Sequence, residues 1–189
     1  MGRFTVIPQD TFESMQLETG VLLKNFDPAN VTEPADEDII CATTGGITVT
    51  CQMETSDLAE DIDNVPDGMM EFIHLDRWNC SISTTSLSTS AEGIKLSLGC
   101  ADIDSKDETH IIPRAELKQT DFRDIWWVGD KANGGFVAAR LKNALSTGGF
   151  SLKTGKNAKG QTTLEISGHR SIKKQGEVPM EFYSIDPTT

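Results

Sequence analysis

The stretch Gly46-Ile47-Thr48-Val49-Thr50-Cys51-Gln52-Met53-Glu54 carries the clearest structural pattern in the chain. Apolar and polar side chains alternate along it, which is typical of a β-strand with one buried face and one solvent face. The inward set is then Ile47, Val49, Cys51 and Met53, and the outward set is Thr48, Thr50, Gln52 and Glu54. This segment predicts a long strand and a fold built on sheets.

Strand patterns predominate in the rest of the sequence as well. A second alternation runs from Trp78 to Thr84, and the last third of the chain is a series of strand patterns separated by glycine-containing turns. These later segments are residues 122–128, 135–141, 149–154, 161–169 and 178–185. Their spacing of roughly ten to fifteen residues favours an antiparallel sandwich or barrel over alternating strands and helices.

Two short helices are expected beside the sheet. Residues 67–73 have apolar side chains at spacings of three and four, which predicts an amphipathic helix lying on the sheet. Residues 90–98 follow a capping box from Thr89 to Glu92 and end before Gly99, which predicts a second helix. Alternating apolar side chains in that second segment also fit a strand, so both interpretations stay open there.

The 189 residues are predicted to form a single domain, residues 1–189. Its fold class is mainly β (α+β): an antiparallel β-sandwich or barrel with one or two short flanking helices, long loops and an N-terminal arm. Residues 1–38 show little periodicity and are assigned to the arm. Residues 101–120 are rich in charged side chains, contain Pro113 and are predicted to be a long loop.

The net charge of −12 is distributed unevenly. Residues 1–110 carry −16 and residues 111–189 carry +4. Because nucleic-acid affinity depends on Lys and Arg neutralising phosphates, this acidic balance disfavours a protein that grips nucleic acid. The asymmetry has two interpretations: solubility, or association of copies through surfaces of opposite charge. No apolar run approaches the about 20 residues of a membrane helix, so no membrane partner is predicted.

No segment has the spacing of a catalytic, cofactor-binding or metal-binding motif, and no such site is predicted. Residues 148–157 are similar to a phosphate-binding loop, but they lack its first glycine and the Ser or Thr that binds Mg²⁺. Residues 102–113 begin like a calcium loop, yet Pro113 stands where the bidentate Glu belongs. Both segments are therefore interpreted as ordinary turns and loops.

Three groups of reactive side chains leave alternatives open. The acidic run from Glu54 to Asp67 is a solvated face or, alternatively, a metal site or a pair of catalytic carboxylates. The histidines are far apart in sequence, and only a fold that brings them into one pocket would indicate an enzyme. These are His74, His110 and His169. The four cysteines form no CxxC pair; they could form disulfides, but buried free thiols are the favoured interpretation because a chain of this length does not need such cross-links. They are Cys41, Cys51, Cys80 and Cys100.

Seven segments closely resemble the major tail tube protein of long-tailed, non-contractile bacteriophages and related prophages. They occur in order and at similar spacing over nearly the whole chain, and they are Gly20–Pro28, Ile39–Gly46, Glu60–Asn64, Ile112–Lys118, Asp124–Asp130, Asn143–Phe150 and Val178–Tyr183. The resemblance implies a β-sandwich whose copies form homohexameric rings that stack into a tail tube. Double-stranded DNA passes through such a tube during ejection without specific binding.

The same resemblance implies partners and a location. Such tubes are built around a tape-measure protein and end at a distal tail protein and a tail terminator. They are made in the cytoplasm of the bacterial host and reside in the virion. The family carries no catalytic residue and no cofactor. The alternative from another class is a monomeric adhesin or carbohydrate-binding β module, which would expose an aromatic patch.

Two sets of residues are candidates for contacts in a tube. An acidic channel wall would repel DNA, which carries one charge per ~1.7 Å, and leave it free to slide. The outward set of the first strand is polar with one acid, so Thr48, Thr50, Gln52 and Glu54 are the predicted lumen-facing residues. The adjacent Trp126 and Trp127 point to opposite faces of a strand, so one enters the core. The other lines the second face or a subunit interface.

Overall fold

The computed structural model describes residues 7–8 and 10–187 and is built mainly of antiparallel strands. The strands are β1 (Val21–Leu23), β2 (Thr43–Asp57), β3 (Ile73–Ser86), β4 (Ala101–Ile103), β5 (Ile111–Pro113), β6 (Arg123–Asp130), β7 (Phe136–Ser146), β8 (Leu152–Lys153), β9 (Gln161–Ser167) and β10 (Met180–Ile185). The α-helix is α1 (Ala91–Leu98), and single 3₁₀ turns lie at Met70–Phe72, Gln119–Asp121 and Ile172–Lys174. None of the described helices is long and apolar enough to cross a membrane.

Strand β7 belongs to both layers of the sheet. Its first part, from Phe136 to Leu141, lies between β6 and β10, and β1 pairs with the far side of β6. Its last residues, Leu145 and Ser146, pair with β9, which continues to β3 and β2. The first layer is therefore β1-β6-β7-β10, and the second is β2-β3-β9 with the end of β7.

The hydrophobic core lies between these two layers. Leu22, Ile125, Leu141 and Met180 come from the first layer, and Cys80, Ile82, Leu164 and Ile166 come from the second. Each side chain occupies an alternate position on its strand, because successive residues of a strand point to opposite faces. The packing of two facing sheets accounts for the strict alternation in the sequence.

A corner at Asn143 lets β7 leave one layer and enter the other. Asn143 has a positive φ of 45°, a conformation that Asn tolerates better than most residues. The Asp124 carboxylate accepts a hydrogen bond from the Asn143 backbone N–H at 3.0 Å, beside a register shift between β6 and β7. Its other oxygen accepts from the Arg140 Nε at 2.9 Å. One carboxylate therefore holds the corner in place.

The structure confirms the predicted fold class and most of the predicted elements. The alternating segments fall within β2, β3, β6, β7, β9 and β10. The helical interpretation of residues 90–98 is also confirmed, and Gly99 ends α1 with φ of 69°. The cap lies one residue later than the predicted capping box, because Ser90 rather than Thr89 accepts from the Gly93 N–H at 3.1 Å. The segment near residue 150 forms only the two-residue strand β8.

The prediction of a helix over residues 67–73 is wrong. This segment contains one 3₁₀ turn, and β3 already begins at Ile73. Asp57 accepts hydrogen bonds from the N–H groups of Ala59 and Gly68, so the segment is closed as the connection between two strands. Met70 is 82% exposed, and Met69 and Ile73 are also exposed, so these apolar side chains of the segment do not pack on the sheet.

Two further segments have more structure than the sequence indicated. Residues 101–120 were expected to be a loop, but β4 and β5 pair within them as a short hairpin. Arg114 forms ion pairs with Asp102 and Asp121 and so joins this hairpin to the following 3₁₀ turn. In the arm, β1 pairs with β6 and is part of the sandwich, while residues 1–6 and 9 lie outside the described residues.

We expect Asp124→Ala to lower the free energy of unfolding by about 2 kcal/mol, because the Asn143 N–H and the Arg140 guanidinium would each lose a charged acceptor. Urea unfolding followed by tryptophan fluorescence would measure this loss. Asp130→Ala is the matched control, since Asp130 is exposed near the end of the same strand, and we expect a change within about 0.5 kcal/mol. Equal stability of the two variants would contradict the role of the corner.

Candidate assembly surface

The β2–β3 hairpin extends beyond the rest of the sandwich. β9 supports β3 only from Ser81 to Ser86, and in the described chain the preceding residues of β3 pair with β2 alone. The side chains from Met53 to Thr55 and from Ile73 to Arg77 are exposed on both faces of this hairpin. We call residues 53–76 the hairpin tip.

The hairpin tip concentrates exposed apolar side chains. Ala59 is buried and anchors the connection locally, but seven larger side chains around it remain in solvent. They are Met53, Leu58, Ile62, Met69, Met70, Ile73 and Leu75. A concentration of large exposed apolar side chains in one segment of a folded protein is a candidate interaction site. The prediction that Met53 faces inward is wrong, because this part of β2 extends beyond the hydrophobic core and its side chains are exposed.

The hairpin tip is also strongly acidic. Between Glu54 and Asp76 the sequence has eight Asp and Glu residues and no Lys or Arg. Hydrogen bonds from the Gly68 and Ala59 N–H groups hold the pKa of Asp57 below its usual value, so this carboxylate stays ionised and fixes the connection. Within residues 7–8 and 10–187, no group of three His, Cys, Asp or Glu side chains is placed to hold a metal ion.

A basic turn lies at the opposite end of the same sheet layer. Residues 153–160, which we call the basic turn, carry Lys153, Lys156 and Lys159, all exposed, and no acid. Thr162, just after this turn, pairs with Ser86 at the end of β3. The hairpin tip includes Ile73, the first residue of β3. A strand of 14 residues spans about 45 Å, so surfaces of opposite charge lie near opposite ends of β3.

Strand β2 is the outermost strand of its layer. Within the described residues only β3 pairs with it, so the backbone groups on its other side are open. An open edge of this length is a site at which another strand can pair.

The outward set of β2 faces solvent as its alternation predicted. Thr48, Gln52 and Glu54 are exposed and Thr50 is half-buried. Their partners on β3 are Ser83, Ser81, Asn79 and Arg77, so the face is lined by hydroxyl and amide groups. Whether this face lines a channel stays a prediction.

The sequence did not indicate that Glu54 is paired. Its carboxylate accepts from the Arg77 Nε and, at 3.2 Å, from the Asn79 amide. Arg77 also holds the pKa of Glu54 below its usual value. The outer face of this hairpin is thus polar and close to neutral rather than strongly acidic.

The two tryptophans do point to opposite faces of β6. Trp126 is 6% exposed and packs edge-on against Phe26 of the arm, with the Arg140 guanidinium 5.4 Å from its ring. Trp127 is half-buried beside the core and donates its indole N–H to the Thr19 carbonyl at 3.1 Å. Both rings are used within the subunit, and their place in a subunit interface stays a prediction.

The histidines do not come together. His74 lies on the hairpin tip, and His110 immediately precedes β5. His169 follows the end of β9 and packs against Phe122. A cleft of about 660 Å³ lies between the arm and β6–β7, and no histidine lines it. The convergence that would have indicated an enzyme is therefore not found among the described residues.

Comparisons with known proteins give no match. No model of a protein family matches the chain, and a search of curated proteins finds none that is similar.

If the hairpin tip is a contact between copies, Leu58→Ser combined with Met70→Ser should weaken their association at least 10-fold without changing the melting temperature, because both side chains are exposed and contribute little to the fold. Sedimentation velocity over a concentration series would measure the change. Ile172→Ser is the control, since Ile172 is 83% exposed on a different surface. If the control weakens association as much as the double variant, the hairpin tip is not the contact.

Proposed function

We propose that this protein is the subunit of a tail tube of a long-tailed, non-contractile phage or related prophage. Copies assemble into stacked hexameric rings that conduct the viral genome into the host. The proposal rests on the resemblance of seven sequence segments. The structural observation that supports it most is the β2–β3 hairpin, which places an open strand edge and an apolar, acidic tip on one subunit.

Ring closure needs a heterologous contact, in which one patch meets a different patch on the next copy. The open edge of β2 supplies one such patch, because its backbone groups can pair with a strand of a neighbouring subunit. In a ring, strand pairing would pass from copy to copy and leave no edge exposed. This step gives a partner to the open edge of β2 between its two register shifts, at Thr44–Ile47 and Glu54–Thr55.

Stacking needs a second contact along the tube axis. The hairpin tip is acidic and the basic turn carries three lysines at the other end of the same layer. Copies aligned head to tail therefore bring opposite charges together, while copies aligned head to head bring like charges together. Charge complementarity of this kind selects orientation and register, and the apolar side chains of the hairpin tip add burial.

The polar outer face of β2 and β3 is the proposed channel wall. Thr48, Thr50, Gln52 and Glu54 and their β3 partners offer hydroxyl and amide groups but little net positive charge. A wall without excess lysine and arginine does not neutralise phosphates, so DNA would slide along it. The tape-measure protein, the distal tail protein and the tail terminator remain proposed partners, and the virion the proposed location.

The alternative of a monomeric adhesin or carbohydrate-binding module has less support. Such a protein would present aromatic rings on an open surface, but Trp126 is covered by the arm. The exposed aromatic side chains in the described residues are Phe12 and Phe182, on separate elements. A protein that stays monomeric at high concentration would favour this alternative.

Negative-stain microscopy of the concentrated protein at low salt should show rings or tubes. Raising the ionic strength should shorten the tubes, because contacts between exposed charges are screened over about 8 Å at physiological salt. We further expect no tubes from either of two charge-reversed variants alone. One changes the basic turn (Lys153→Glu, Lys156→Glu, Lys159→Glu), and the other changes the hairpin tip (Glu60→Lys, Asp63→Lys, Asp67→Lys).

Mixing the two charge-reversed variants in equal amounts should restore tubes, because each reversed surface then meets a complementary one. Lys173→Glu with Lys174→Glu is the control, since it reverses exposed lysines outside the basic turn. Tubes from either reversed variant alone would overturn the stacking model, and monodisperse monomers of the unchanged protein would overturn the proposed function.

Lysines on the proposed channel wall should retain DNA. We expect tubes of the variant Thr48→Lys with Gln52→Lys to co-sediment with short duplex DNA at low salt and release it as salt is raised. Thr89→Lys with Gln175→Lys adds the same charge at exposed positions elsewhere and should retain less. Equal retention by both variants would mean that the face of β2 lies outside the channel.

A further inference from the structure

Two cysteine thiols face each other at the base of the β2–β3 hairpin. Cys51 on β2 and Cys80 on β3 are directly opposed in the antiparallel register, and their sulfur atoms are 3.4 Å apart. The other two cysteines have different neighbours. Cys100 lies 3.1 Å from the Glu116 carbonyl oxygen, and Cys41 lies beside the Ser86 hydroxyl. All four are free thiols in this structure.

The geometry of the pair is compatible with a covalent bond. Directly opposed residues of antiparallel strands have Cα atoms about 4.5 to 5.5 Å apart, within the range that disulfides span. The sulfur atoms would need to approach from 3.4 Å to the about 2.05 Å of a disulfide. Side-chain rotation with a small strand adjustment supplies this movement, so the hairpin does not have to rearrange.

We propose that Cys51 and Cys80 form a redox pair that a peroxide oxidises to an intramolecular disulfide. In the first step the Cys51 thiolate attacks one oxygen of hydrogen peroxide, which gives a sulfenic acid and, after proton transfer, water. In the second step the Cys80 sulfur attacks Cys51 Sγ, the S–O bond breaks, and the departing hydroxide takes the Cys80 proton as water. Two thiols and one peroxide thus give one disulfide and two waters.

The surroundings assign the two roles. Burial and the neighbouring Cys51 sulfur raise the pKa of Cys80 to about 12, so Cys80 remains a thiol at neutral pH. Cys51 is only half-buried and is the one a peroxide can reach. Access decides which sulfur meets the peroxide first, so oxidation begins at Cys51 and the adjacent Cys80 resolves it.

The position of the pair gives the disulfide a structural effect. The Cys80 carbonyl accepts from the Gly168 N–H at 2.9 Å, and the pairing of β3 with β9 begins at the next residue. A bond here would join β2 to β3 where support from β9 ends. It would close a loop between residues 29 positions apart and restrict the unfolded chain, which stabilises the folded state.

The test uses the full chain treated with hydrogen peroxide and compared with the reduced protein. We expect the free thiol count to fall from four to two, the intact mass to fall by about 2 Da, and peptide mapping to link Cys51 with Cys80. The melting temperature should rise by about 5 °C or more and return after reduction. Links through Cys41 or Cys100, or no loss of thiols, would overturn the proposal.

Serine variants give the matched comparison. Cys51→Ser and Cys80→Ser should each abolish the peroxide-dependent rise in melting temperature, whereas Cys100→Ser should keep it. If a serine variant fails to fold, the peptide map of the unchanged protein still decides the proposal. The outcome does not depend on tube assembly. If the protein is monomeric but forms this disulfide, the redox pair is supported and only the proposed function is overturned.

Discussion

The Asp124 carboxylate at the β7 corner is the interaction on which the architecture depends. One oxygen accepts from the Asn143 N–H where β7 bends, and the other accepts from Arg140, which precedes Asn143 on the same strand. β7 is the strand that both layers share, so the facing of the two sheets depends on this turn. Once the layers face each other, alternate side chains meet in a dry core and the outward sets are left to solvent. The hairpin can then extend from a rigid base.

The apolar side chains of the hairpin tip are exposed, unlike those of the core. In the sandwich, apolar side chains of the two layers pack against one another. In the hairpin tip, Met70 and its neighbours have no such packing partners, because β9 does not extend along the first residues of β3. A chain that leaves so much apolar surface in solvent tends to bury it against another molecule. The acidic tip and the basic turn give that burial a direction, which supports the proposed tube.

Much of the fold could be predicted from the sequence, because local patterns determine it. Period-two alternation identified the long strands, and the capping box with Gly99 identified α1, although the residue that caps the helix is Ser90 rather than Thr89. The tip was mispredicted because helical spacing is also local, whereas the hydrogen bond that closes it joins Asp57 to the distant Gly68. The Cys51–Cys80 pair, the Glu54–Arg77 pair and the burial of Trp126 under the arm all depend on register or tertiary packing. No local pattern contains that information.

The long pairing of β2 with β3 has a mechanical consequence. The backbone hydrogen bonds between antiparallel strands lie perpendicular to the strands. Because the hairpin tip connects β2 to β3, a pull applied to it along the strands moves both strands together and loads the bonds from β3 to β9 sideways. Strands loaded in this way must slide before they separate, so many bonds resist at once. A force applied across the sheet would instead open the bonds one after another. The molecule is thus built to resist tension along the length of its hairpin.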